Sequence, residues 1–398
     1  MKNSFLTLFL EINNLNFIFF VGESDEFENF KIVYKFELPL RGMDNKKISD
    51  LNLVAGVIKE NIYIIEQKLN HIFKEVVLIL ENFETTFVNL SGFKKLNGSK
   101  ILNENITYII NDLKSCIQDT EEKKTVLHIF NSNFNLDNKK TENLPIGLFG
   151  DHYSHELSII LINSNDYLNL NDIFAKSNLK IKKILTKSFI KGVNISENFN
   201  NTKTFFQIEI NKDSSKIIYF ENDSLKSTQE FKFGTNIILK DISKVTGLKI
   251  EIVKKILETI EVKEGMYEDE LVEKEFFKVN EHRKIKKKLI YEIALARIKE
   301  ILELLIINNI NFKYYIKATK VIFLEINQEL NIKSLKDIWK IVFSINGNFK
   351  VNFLNETSFS NFSKTVNKLV HFGWKKEAIP ITQFKKSIIA RFFDAIFG

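Results

Sequence analysis

Apolar residues recur along this chain with two periods, and the points where one gives way to the other mark its elements. Residues 5–12, 15–22 and 30–38 are Phe-, Ile- and Val-rich runs separated by short polar turns, and read as three strands. Leu51, Val54, Ile58, Ile62, Ile65 and Leu69 then repeat at threes and fours, which predicts a helix. Residues 76–80 follow as a short buried strand. Strands, helix and strand in this order open an α/β layer.

From residue 84 the pattern changes. Strands are expected at 86–91 and 99–102, then a helix carrying Ile106, Ile109, Ile110, Leu113 and Ile117. Strands at 125–130 and 157–162 close this unit, with a loop at 143–150 between them. Near residue 203 the opening pattern returns, with strands at 204–210, 216–220 and 229–233 and helices starting at Thr235 and Lys249. A pattern of three strands and a helix that occurs twice predicts two related lobes. A longer helix carries Ile290, Ile293, Leu295, Ile298, Ile301, Leu302 and Leu305, and residues 367–373 read as the end of a packed helix.

The last apolar series is the most distinctive. Phe384, Ile388, Ile389, Phe392, Phe393 and Ile396 fall on one broad face of a helix, with Phe397 at its end. Lys386 and Arg391 lie opposite, and Lys385 sits within the apolar arc, from which a lysine can snorkel to an interface. Such a helix is too short to cross a bilayer, and lying among the headgroups of an anionic membrane satisfies both of its faces. Docking on the protein's own core is the other way to bury that face. Residues 373–379 are short and charged and are closed by Pro380, which reads as a tether.

Composition narrows the classes. The chain has no run of eighteen apolar residues, and Glu11, Asn13, Asn14 and Asn16 interrupt the apolar start, so neither a membrane span nor a cleavable signal is expected. A single cysteine, Cys116, excludes an internal disulfide framework and fits a reducing cytoplasm. The net charge of +7 suits an anionic partner, although Lys, Asn, Ile and Phe in such abundance also fit an AT-rich genome. His152 and His155 have no third ligand nearby in sequence, so a polar surface is expected there and no metal site. The acidic stretch 258–275 and the basic stretch 282–288 read as solvated surface. The basic stretch lacks interleaved aromatics, so no nucleic-acid partner is expected.

Shorter motifs add a resemblance. Arg41-Gly42-Met43-Asp44 followed by Ile48 and a helix is one, and Gly234-Thr-Asn236-Ile-Ile-Leu-Lys-Asp241-Ile242 is another. Ser91-Gly92, Leu127-His128-Ile129 and Pro145-Ile146-Gly147-Leu148-x-Gly150 mark the middle unit, and Arg297-Ile-Lys-Glu300-Ile-Leu begins a helix. In this order, and with the basic amphipathic tail, they resemble the FtsA family of bacterial cell-division proteins. The resemblance implies an α/β, actin-like (ribonuclease-H-like) two-lobed fold with an inserted small α+β, SHS2-like domain. The first lobe would span 1–83 and 164–200, the insert 84–163 and the second lobe 201–373. Residues 374–398 would be the linker and the membrane-targeting helix. It further implies a peripheral protein on the cytoplasmic side of the inner membrane at the division site, binding anionic lipid and the FtsZ C-terminal tail. Self-association into homo-oligomers or short filaments and contacts with other division proteins are implied as well. Arg297 would bind the FtsZ tail, with Arg283 heading the basic run before it.

One departure matters. Actin-like ATPases hold phosphates with glycine-rich hairpins, because glycine lets backbone amides approach closely. Here the family's first-hairpin aspartate becomes Glu11, its glycine Asn13, beside Asn14, and its lysine Asn16. The second hairpin reads Gln207-Ile-Glu209-Ile-Asn211-Lys212, and the adenosine-backing glycine pair is replaced around Glu325. A carboxylate about 4 Å from a phosphate charge costs roughly 4 kcal/mol at an effective dielectric near 20. A degenerate nucleotide site and no enzymatic activity are therefore expected, the alternative being an actin-like protein that binds and hydrolyses ATP with Mg in an unusual site.

Overall fold

The computed structural model describes residues 5–25, 29–44, 46–81, 83–199, 202–259, 270–277, 284–326, 333–355 and 358–378. The chain divides into two compact units, the first comprising Met1–Asn201, Glu221–Lys226 and Ser358–Gly398, the second Thr202–Phe220 and Ser227–Thr357.

In the first unit β1 (Phe5–Ile12), β2 (Asn16–Ser24) and β3 (Phe30–Pro39) form an antiparallel meander. Phe9 stacks on its register partner Phe20, and Phe19 on Phe36. Both faces of β1 and β2 are covered, so their apolar residues run on without alternation. A small hairpin, β4 (Met43–Asp44) and β5 (Lys47–Ile48), leads into α1 (Leu51–Leu69). Gly42, at φ +73°, lets its carbonyl accept from the Ser49 and Asp50 amides, and the Asp50 side chain caps α1 by accepting from Leu53. Next, β6 (Glu75–Leu80) pairs parallel with β1.

Between β6 and the rest of this sheet lies an inserted α+β unit. Its elements are β7 (Thr85–Lys95), α2 (Asn103–Thr120), β8 (Lys124–Leu136), β9 (Lys139–Thr141) and β10 (His152–Asn163), in the sheet order β7-β10-β8-β9. Ile106, Ile109, Leu113 and Ile117 of α2 pack on Ile129, Leu157 and Ile159. The strand expected at 99–102 is absent; only Lys100 bridges to Phe149, because 101–102 turn directly into α2. The chain then returns through α3 (Ser164–Ala175), β11 (Lys180–Thr186) and α4 (Lys187–Asn198).

The second unit repeats the plan. Its strands β12 (Phe205–Ile210), β13 (Ser215–Glu221) and β14 (Ser224–Phe231) form a meander. Helices α5 (Asn236–Thr246), α6 (Ile250–Thr259) and α7 (Lys287–Leu302) follow, then β15 (Val321–Ile326), α8 (Lys333–Gly347) and β16 (Lys350–Leu354). The sheet orders β11-β6-β1-β2-β3 and β14-β13-β12-β15-β16 are the same topology: a meander whose first strand pairs parallel with a fourth, and that with a fifth. The duplication expected from the pattern is thus real at the level of strand order. Finally α9 (Phe359–His371) returns to the first unit, where Asn367 accepts from the Ser24 hydroxyl and Thr365 from Asn194.

Residues 373–379 were expected to be a tether, and as far as Ala378 the structure corrects this. Trp374, Glu377 and Ala378 are buried, and Lys376–Ala378 lie antiparallel along β8. The charges that suggested a solvated linker include one that is fully buried and paired. Residues 379–398, with every expected membrane-binding side chain from Phe384 to Phe397, lie outside the described residues, as does Arg283.

Candidate functional site

The two hairpins that carry phosphate chemistry in actin-like ATPases are both closed by this chain's own groups. At the β1–β2 turn the Asn13 carboxamide oxygen accepts from the Leu15 amide at 2.8 Å and the Asn16 amide at 2.7 Å. The Asn13 amide itself donates to the Asn16 carbonyl. A side chain in the place of the expected glycine thus takes two of the turn's amide donors.

Beside this turn, at the carboxyl ends of β1 and β6, Lys187 bridges Glu11 and Glu81 at 2.8 Å each. Burial alone would lower the Lys187 pKa, but the two carboxylates outweigh it and raise the value to about 12. An internal ammonium therefore neutralises the acidic residue that replaces the family's aspartate. Sequence reading missed Lys187, since nothing in its local pattern points across two strands.

In the second unit the β12–β13 turn meets the start of α5. Thr235 and Asn236 amides donate to the Asn211 and Lys212 carbonyls, and the Ile237 and Ile238 amides turn back to Gly234 and Thr235. The helix N-terminus, otherwise a ready anion site, has its first donors taken. Gly234 makes this possible: a Cβ there would lie 2.1 Å from the Asn211 carbonyl oxygen. Gln207 and Glu209 are buried on one face of β12 and hydrogen-bonded to each other at 2.9 Å, and Glu209 stands in register with Glu325 of β15.

Arg297, on α7, is not a bare cation. Its guanidinium pairs with Asp241 of α5 and with Glu300 one turn along its own helix. The pairing ties α5 to α7 and leaves the arginine half-buried.

The densest charged cluster lies elsewhere. Glu377 is fully buried, with one carboxylate oxygen 3.0 Å from His128 Nδ1 on β8 and the other 3.0 Å from Lys183 Nζ on β11. Lys183 also donates to the Leu369 carbonyl. Burial would raise the Glu377 pKa, but Lys183 and His128 together bring it down to about 2. His155, expected on a polar surface, is buried instead; its Nε2 meets the Asn131 carboxamide, while His152 is exposed. No group of three or more potential metal ligands forms among the described residues. A cleft of about 720 Å³, rimmed by Lys74, Lys180 and Lys182, opens at the amino ends of β1, β6 and β11, opposite the first hairpin.

Two five-stranded sheets of identical topology, one interrupted by an α+β insert, make this an actin-like fold. Among solved structures, the chain is similar to one in the PilM–PilN type IV pilus biogenesis complex, with TM-score 0.50 and 9% identity over 92% of this chain and 95% of that one, a likeness of fold alone. No known family pattern matches the sequence. Its curated relatives include Cell division protein FtsA of Buchnera aphidicola subsp. Schizaphis graminum, 23% identical over 242 residues, or 61% of this chain and 57% of that protein. FtsA of Neisseria meningitidis serogroup B is 20% identical over 235 residues, or 59% and 56% of the two chains. The match thus spans a little over half the length of these relatives.

Proposed function

We propose that this chain is a cell-division protein that links filaments of the tubulin-like FtsZ to the cytoplasmic face of the inner membrane at the division site, as a scaffold and not as an ATPase. Similarity to FtsA in sequence, on an actin-like fold, carries the division role. Closure of both phosphate hairpins by Asn13 and by the start of α5 supports action without hydrolysis. The tail from Phe384 to Phe397 would bury its apolar face in anionic lipid, each fully buried side chain contributing about 1.5–3 kcal/mol. The second unit would take the acidic FtsZ tail beside Arg297. Self-association would multiply weak membrane contacts through avidity. A second reading, an ATP- and Mg-binding protein with an unusual site, draws on the acidic pair Glu11 and Glu81 at the carboxyl ends of β1 and β6.

The test is co-sedimentation with anionic vesicles, with and without FtsZ. The full chain is expected to pellet and to bring FtsZ with it, less so as salt is raised. A chain lacking residues 381–398 should stay in solution with an unchanged melting temperature. Pelleting of the truncated chain would remove the tail from the mechanism.

A further inference from the structure

The three buried polar side chains of the Glu377 cluster take no part in the proposed function, yet they join the chain's C-terminal segment to its core. Backbone bonds come first. The Asn131 amide donates to the Lys376 carbonyl, and the Ala378 amide to the Ile129 carbonyl, both at 2.7 Å, so Lys376–Ala378 add a short strand to the edge of β8. Side chains then fix the position. The Trp374 indole donates to the Asp223 carbonyl at 2.7 Å, and Lys375 pairs with the Asp223 carboxylate at 2.6 Å. Glu377 reaches His128 and Lys183, which stand on two different strands.

We propose that Trp374–Ala378 form a strap locked by Glu377, so that everything beyond Ala378 starts from a fixed point on the first unit rather than from a flexible linker. Register explains why the lock is ionic. Apolar groups of similar volume would hold such a site as well or better, so a buried ion pair is weak evidence for stability. It does discriminate between positions. Slipping the strap by one residue would turn Glu377 away from the cluster, since successive side chains of a strand face opposite ways. Slipping it by two, in the direction that brings Lys375 forward, would set an ammonium against Lys183. Only one alignment leaves no buried charge unmatched.

The strap also sets the reach of the chain beyond Ala378. Closed, it delivers any pull on the tail into β8 and β11. Opened, it frees the residues back to Gly373 and lengthens the tether by about 20 Å. This consequence rests on the tail being the membrane anchor, as proposed above; the strap itself does not.

The experiment uses the full chain and the variants Glu377→Gln and Trp374→Phe, followed by trypsin cleavage after Lys375 and Lys376, amide exchange at Asn131 and Ala378, and pelleting with anionic vesicles. In Glu377→Gln the buried Lys183 loses its counter-charge, so cleavage and local exchange should accelerate about a hundredfold while amides of β1 and β6 keep their rates. Trp374→Phe should show a smaller change of the same kind. Wild-type rates in both variants would overturn the strap, as would an equal loss of protection in β1 and β6, which would make the cluster a general core element. Faster cleavage in Glu377→Gln, with no vesicle binding by the wild-type chain, would uphold the strap and defeat the membrane reading alone.

Discussion

At the scale of single residues, the molecule's acid response is written in buried and half-buried groups outside the two hairpins. Burial, and to a lesser extent Lys376, push the His155 pKa down to about 3; burial and Lys182 push His371 to about 4. Below the ordinary histidine value near 6.5 the unfolded chain binds protons that the folded one refuses. Stability is therefore full above that value and falls with falling pH, by up to about 1.4 kcal/mol per pH unit for each histidine. Glu377, with its pKa depressed, adds a loss of the same sign below the ordinary carboxylate range, completed as pH falls through about 2. The melting temperature should drop between pH 6.5 and 4.5, and His155→Gln, which keeps a donor for Asn131, should flatten that slope. An unchanged slope would mean that His155 takes up its proton in the folded state. None of this was legible in the sequence. His155 lies three residues past the exposed His152 and so on the other face of β10, but whether that face meets water or the core is set by elements distant in sequence. Glu377 among lysines looked like solvated charge.

Elements tell the opposite story, because their periods are local. Strands β1 to β3, helix α1 and, in their echo, β12, β13 and α5 stand where the apolar pattern put them, since each must bury a face at its own period. Strand β14, in contrast, begins at Ser224, five residues before the strand expected at 229–233. What escaped were features set by distant neighbours: the missing strand at 99–102, the strap on β8 and the closing of α5 over the β12–β13 turn. That last joint is testable. In Gly234→Ala the new methyl would collide with backbone, not with a side chain that can swing away, and overpacking of this kind costs typically about 1–3 kcal/mol. The variant should melt lower and lose exchange protection at Thr235 and Asn236. A wild-type melt would show that the joint has room to adjust. The same helix pair governs how Arg297 must be tested. Arg297→Glu would set a third carboxylate beside Asp241 and Glu300 and loosen α5 from α7, so weakened FtsZ-tail binding by that variant would be ambiguous. Arg297→Gln removes the charge more gently. It should weaken tail binding several-fold at low salt, while Lys46→Gln leaves it unchanged. Equal losses at both positions would reduce the effect to net charge.

For the whole molecule, the question is whether an actin-like fold can serve without its ligand. Each unit closes its own hairpin independently, one through Asn13 and Lys187, the other through Thr235 and Asn236. Two separate closures make a chance loss at one position a poor explanation: the first takes the Leu15 and Asn16 amides of its own turn, and the second takes the Thr235 and Asn236 amides at the start of α5. A ligand present at a hundred times its dissociation constant stabilises a fold by about 2.7 kcal/mol, an effect readily seen as a rise in melting temperature. With millimolar ATP and magnesium no such rise is expected, nor any heat of binding in calorimetry. Asn13→Gly, which returns the glycine and frees the Leu15 and Asn16 amides, should not restore binding by itself, because Lys187 and the start of α5 stay in place. A clear thermal shift in the wild-type chain, lost when Asn13 is made bulky, would show that the closed hairpin itself cradles the nucleotide. The protein would then be an ATP-dependent machine and not a scaffold.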